Sequence, residues 1–190
     1  MNRRSVIVLV SAAAIALVAA GLAGTAGAEP ADADAQIERG GYLVTIGGCN
    51  DCHTPWQMGS AGHPEPDMTR MLSGHSAGME MPPAPHLPPG PWVASVAGSM
   101  TAWAGPWGVS FTANLTPDAE TGLGAWTEQE FKDALRSGRH QGRGREILPP
   151  MPWFNYAKAT DEDLAAIFAY LRSIPPINNR VPDPVPPAAP

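Results

Sequence analysis

The stretch Cys49-Asn50-Asp51-Cys52-His53 decides how the rest of this 190-residue chain is read. Cys-x-x-Cys-His is the attachment pattern of a c-type haem: each thiol adds to a vinyl group as a thioether, and the following His is placed to bind iron from one face. Two residues between the thiols let a single turn of chain span both vinyls. The chain has two cysteines in all and the motif uses both, so neither a disulfide framework nor an all-cysteine zinc site is open to it. Three other readings compete. A thioredoxin-like redox pair needs a βαβ context, and no strand-helix alternation is legible around the motif. Half of a zinc site would take His53 as third ligand and a distant His as fourth. A single structural disulfide is the third.

The N-terminus fits an exported protein. Arg3-Arg4 precede an apolar run from Val6 to Ala20, and small residues, Ala26-Gly27-Ala28, precede Glu29. This is the layout of a secretory signal peptide over 1–28, cleaved after Ala28. An uncleaved anchor is the alternative, since Val6–Leu22 sits at the short edge of what spans a bilayer. Haem attachment to an exported chain places the mature protein in a periplasm. Cleavage would remove Arg3 and Arg4 and no acid, leaving 162 residues and moving the formal charge from −6 to −8. Such a balance argues against nucleic acid and favours partners with complementary positive patches. The length suits one domain, over 29–182, with a Pro-rich tail at 183–190.

Residues 29–35 read as a short mobile lead-in. From Ala35 to Gly47 the residues Ile37, Tyr42, Leu43 and Ile46 recur at helical spacing. Gly40-Gly41 lower helix propensity there and permit close approach of another backbone or a haem edge. Residues 55–110 differ sharply: ten of the 22 prolines fall there, with Met58, Met68, Met71, Met79, Met81 and Met100. The prolines exclude a long helix, so the segment reads as a loop insertion laid over the haem, partly packed through Trp92, Trp103 and Trp107.

Order returns at Phe111. Thr116-Pro117-Asp118 and Gly122-Leu123-Gly124 are turn chemistry. Thr127 with Glu130 is a capping box, and Gly138 a stop, which predicts a helix over Glu128–Ser137 with Phe131, Ala134 and Leu135 inward. Thr160 followed by Asp161-Glu162-Asp163 starts a final helix. Its buried stripe is Leu164, Ile167, Phe168 and Leu171, and it ends before Pro175-Pro176. Residues 178–190 are expected to be extended and mobile.

His53 leaves the opposite iron face to a second ligand. Met151, framed by prolines in Leu148-Pro149-Pro150-Met151-Pro152-Trp153, is the best candidate, because rigid flanks hold a weak thioether in place. The rivals are Met100, Met79, Met81, and, for bis-His ligation, His63, His75, His86 and His140. Loop histidines are ordinarily solvated, and a Met ordinarily fills core gaps. Trp126 and Trp153 are candidates to wall the pocket.

The motif, the Met151 loop and the final helix together resemble class I c-type cytochromes. A closer likeness is to one haem unit of the cytochrome subunits of bacterial membrane-bound alcohol and gluconate dehydrogenases. It is carried by Phe111-Thr112-Ala113-Asn114-Leu115-Thr116-Pro117-Asp118, Thr121-Gly122-Leu123-Gly124, Trp126-Thr127, Pro149 to Trp153, and Asp161 to Leu164 running to Tyr170-Leu171-Arg172-Ser173. The resemblance implies an all-α helical domain wrapped around one covalent haem c, with Cys49 and Cys52 as attachment points and His53 and Met151 as axial ligands. Those relatives carry several haems, whereas one motif occurs here. The implied role is a periplasmic one-electron carrier between a dehydrogenase and a downstream cytochrome or oxidase. The alternatives are a haem enzyme or ligand sensor with a labile sixth ligand, and an electron-transfer subunit of a larger dehydrogenase complex.

Overall fold

A computed structural model describes residues 30–85, 87–88 and 90–187; the leader expected at 1–28 and the rival ligand His86 lie outside them. Helix α1 spans Pro30–Ile46 and α2 spans Cys49–His53. Helix α3 spans Glu128–Ser137, α4 Trp153–Tyr156 and α5 Asp161–Ser173. The core lies between α1, α3 and α5, where Val44, Phe131, Leu135, Leu164, Ile167, Phe168 and Leu171 pack with Leu72 and Leu123.

Helix α1 begins earlier than its periodicity suggests, covering most of the supposed lead-in. A proline at the first helical position and Asp32 in the first turn favour that start. Its glycine pair then sets the main packing. A Cβ on Gly40 would come within 1.9 Å of the Ala166 carbonyl oxygen and 2.8 Å of the Tyr170 Cβ. Without one, α1 crosses α5 nearly backbone to backbone, in the most extensive helix contact of the fold. The helix-propensity cost of glycine is thus offset by contact with α5.

Helices α3 and α5 take the bounds that their caps predict. The Thr127 hydroxyl accepts from the Glu130 amide at 3.2 Å and the Glu130 carboxylate from the Thr127 amide at 3.0 Å. Thr160 caps α5 through the Asp163 amide at 3.1 Å. Arg172, at the end of α5, donates to the carbonyls of Leu123 and Gly124 and so binds the helix to the turn before α3.

The all-α expectation is overturned. Five short strands form two antiparallel sheets: β1 (Trp56–Met58) with β2 (Pro64–Pro66), and β3 (Ser95–Val96), β4 (Ala102–Gly105) and β5 (Gly108–Phe111) in that order. They lie in the segment read as loops. The prolines do exclude helix there, but backbone amides between them still need partners, and Trp103, Val109 and Phe111 favour a pleated surface. With Trp103 opposite Ser110 and Gly105 opposite Gly108, strands of two to four residues are too short to declare a period of two. The tail is extended, as expected, but tied down. Asn179 donates to the Ser73 and His75 carbonyls at 2.7 and 2.8 Å, and Val185 forms a bridge to Val109.

Gly40→Ala is expected to destabilise the protein by about 2 kcal/mol or more, because the occluding atoms are backbone and cannot swing aside. Urea unfolding of the haem-loaded protein measures this, and a loss below about 0.5 kcal/mol would contradict so close a crossing.

Candidate functional site

The motif occupies one short helix. Gly48, at φ 66°, turns the chain between α1 and α2. Cys49 and Cys52, three residues apart, then fall on neighbouring positions of one helical face. The Thr54 hydroxyl donates to Asn50 Oδ1 at 2.8 Å and accepts from the Leu72 amide at 2.9 Å, which closes the end of α2.

Both cysteines are free, half-buried thiols. Burial pushes the Cys49 thiol up to about 11, and burial followed by the neighbouring Asp51 carboxylate raises Cys52. A redox dithiol works by the opposite shift, toward thiolate at neutral pH. Strand β1 follows α2 directly, but it pairs antiparallel with β2, which is not the βαβ frame of a thioredoxin site. Among the described residues no three His, Cys, Asp or Glu side chains gather as a metal site.

His53 is buried, and its Nδ1 lies 2.8 Å from the Ala113 carbonyl oxygen. A carbonyl only accepts, so Nδ1 carries the proton and Nε2 is left with the lone pair. Burial pulls the imidazole pKa below its ordinary value, partly opposed by that hydrogen bond. The ring is therefore neutral near pH 7, the form that binds metal.

The segment after the insertion holds this carbonyl still. Asn114 Oδ1 accepts from the Thr116 amide and hydroxyl at 3.0 and 2.8 Å. Its Nδ2 donates to the Ile177 carbonyl at 2.8 Å. Asp118 accepts from the Thr121 amide and hydroxyl at 2.8 and 2.6 Å. The polar residues of Asn114 to Thr121 thus build a locked turn that follows the motif in the chain by five strands. An acceptor for His53 is expected from its chemistry, but Ala113 could not be singled out, because a backbone carbonyl carries no side-chain signal.

Met151 is half-buried and packs, with Cys49, Trp126 and Tyr156, against the core cluster. The loop that carries it is clamped to the motif helix: Tyr156 donates to the Gly47 carbonyl at 2.5 Å, two residues before Cys49. Trp153 lies over Gly138, where a Cβ would meet the indole at 2.4 Å. Among the rivals, His63 is exposed and His140 packs edge-on against Trp126 at 4.8 Å. Met79 and Met81 lie in a groove of about 690 Å³ formed by the insertion. Met100 sits in the turn before β4 with φ 57°. His75, expected to be a solvated loop histidine, is instead fully buried, its Nδ1 2.9 Å from the Thr101 hydroxyl and its ring 4.7 Å from Phe111.

Known proteins are similar to this chain in sequence. The chain is 30% identical over 175 residues to the alcohol dehydrogenase (quinone) cytochrome c subunit of Gluconobacter oxydans, a match spanning 90% of the chain and 28% of that subunit. The chain resembles one haem unit of such cytochrome c subunits. It is also 30% identical over 156 residues to the gluconate 2-dehydrogenase cytochrome c subunit of Pantoea cypripedii, covering 82% of the chain and 27% of the relative. The fructose dehydrogenase cytochrome subunit of Gluconobacter japonicus is 28% identical over 146 residues, 75% of the chain and 23% of that protein. The chain therefore spans about a quarter of the cytochrome subunits it matches. No family model matches it.

Burial also holds His75 below its ordinary pKa of 6.5. A depressed histidine stabilises the fold above the unfolded-state value and loses that contribution as pH falls through it, because the unfolded chain then binds the extra proton. His75→Phe is expected to flatten the fall in unfolding free energy between pH 7 and 5. Denaturant titrations at several pH values test this, and an unchanged slope would count against a neutral, buried His75.

Proposed function

We propose that this chain is a periplasmic mono-haem c-type cytochrome that accepts single electrons from a dehydrogenase and passes them to a downstream cytochrome or oxidase. The observation that carries the reading is the state of the motif: two unbonded thiols on one helical turn beside a neutral imidazole whose Nδ1 is already engaged by Ala113. These groups fit a covalent haem, which Cys49 and Cys52 would hold through thioether bonds and His53 through Nε2 on the iron. Met151 would supply the second iron ligand. Its side chain, like that of Cys49, packs half-buried against the core cluster, and the pinned proline frame supplies the rigidity that a weak ligand needs. When bound, the haem supplies reversible one-electron chemistry at iron.

The protein's own part is to hold and tune. Ala113 fixes the imidazole orientation and raises its basicity as a donor. The apolar rim, Leu115, Trp126 and Tyr156 among others, would keep water from a haem held there, and a thioether ligand would raise its potential relative to bis-His. With His53 and Met151 both bound to it, a haem held here would supply one-electron transfer rather than substrate chemistry at its iron.

A second reading keeps the same chemistry and makes the chain a subunit of a dehydrogenase complex. The names of the relatives favour it, since they are cytochrome subunits of alcohol, gluconate and fructose dehydrogenases.

Absorption spectra of the mature protein are expected to give one haem per chain and, in the ferric state, the weak long-wavelength charge-transfer band of Met-ligated iron. Met151→Ala should abolish that band, lower the reduction potential and admit cyanide or carbon monoxide. A band and potential untouched by this change would remove Met151 as ligand, and high-spin wild-type iron would move a ligand-binding role ahead of carriage. Pull-down of the tagged protein separates the two roles: a stoichiometric dehydrogenase favours the subunit, an autonomous monomer the carrier.

A further inference from the structure

Among the described residues, one hydrogen bond ties the insertion to the Met151 loop. Ser110, on β5 and 7% exposed, donates from Oγ to the Pro149 carbonyl at 2.5 Å. Its hydroxyl accepts from Trp107 Nε1 at 3.3 Å, and of the two carbonyl oxygens within its reach Pro149 is much nearer than Trp103, at 3.4 Å. The Pro149 bond is unusual for its setting. Prolines at 149, 150 and 152 carry no amide proton, and among the described residues, residues 148–151 make no other hydrogen bond. The anchors that follow, Tyr156 on Gly47 and Arg136 on the Ala157 carbonyl, lie beyond α4's first residue. The one that precedes, the Ile147 amide on the Gly138 carbonyl at 2.8 Å, ends before the proline run.

Strand β5 is itself held from behind. Val109 and Val185 exchange two backbone hydrogen bonds at 2.8 and 2.9 Å. Gly108, at φ 90°, allows this approach, since a Cβ there would stand 2.1 Å from the Val185 oxygen. Ser110 therefore presents its hydroxyl from a strand pinned on both edges, by β4 on one and the tail on the other.

We infer that Ser110 is a positioning residue for the Met151 ligand, and that through it the β4–β5 hairpin of the insertion braces the loop that carries Met151. The inference rests on the assignment of Met151 as axial ligand. A thioether bonds iron weakly, so the rate at which it lets go depends on how far its loop can move. Removing the one tether in the proline run frees that movement without touching either ligand.

The test uses the haem-loaded protein. In Ser110→Ala, cyanide binding to ferric iron, which must wait for Met151 to leave, is expected to be faster by roughly fivefold, the factor one net hydrogen bond is worth. The long-wavelength charge-transfer band should also disappear at lower pH than in wild type, and Ser110→Thr, which keeps a hydroxyl, should restore both. Trp107→Phe, which removes only the donor to that hydroxyl, should shift both readouts the same way by a smaller factor, and it decides the matter should Ser110→Ala fail to fold. Wild-type cyanide kinetics and band profile in the variants that fold would overturn the inference while leaving Met151 as ligand. A wild-type protein without the band would overturn the ligand assignment, and the inference with it.

Discussion

One hydrogen bond, from His53 Nδ1 to the Ala113 carbonyl, organises the molecule. It joins the end of α2 to a segment 60 residues away and brings the two ends of the insertion together. The Gly74 amide on the His53 carbonyl and the Leu115 amide on the Leu72 carbonyl reinforce the same junction. An insertion that leaves and re-enters at one anchored point costs the host fold little, since closure entropy grows only with the logarithm of loop length. The helical core can thus carry a large β-rich appendage without altering the crossing of α1 on α5.

The same bond explains why the polar turn after the insertion is so heavily cross-linked. Asn114, Thr116, Asp118 and Thr121 satisfy one another and the Ile177 carbonyl, and none of them touches the motif. Their effect reaches the imidazole through the rigidity of the backbone at Ala113. A carbonyl that wandered would let the ring rotate and exchange its tautomer, and the lone pair on Nε2 would no longer be aimed.

The helices were legible because their signals are local and redundant. Thr127 with Glu130, Gly138, and Thr160 before three acids each name a boundary, and α3 and α5 begin and end where those residues say. Gly40-Gly41 announced a close approach, although only the structure identifies Ala166 and Tyr170 as what approaches. The five strands were not legible, because stretches of two to four residues among prolines and methionines carry too few positions to show a period. The burial of His75 was hidden for a related reason: its partners Thr101 and Phe111 come from a hairpin that the sequence did not reveal. At the site, the motif and the Met151 frame announce themselves through side chains that the sequence displays. Ala113 and Ser110 could not, one acting through its backbone and the other through a carbonyl far along the chain.

The bridge from the tail to β5 has a consequence for how this molecule meets its neighbours. The β3-β4-β5 sheet would otherwise present β5 as a free edge, a row of unpaired amides and carbonyls that invites another strand. Val185 covers part of that edge, and Pro184 and Pro186 on either side of it have no amide to offer. A single residue pair is formed and the ladder stops there, because proline cannot extend it. The tail acts as a terminator for the sheet, shielding the edge of the hairpin from strand-to-strand aggregation.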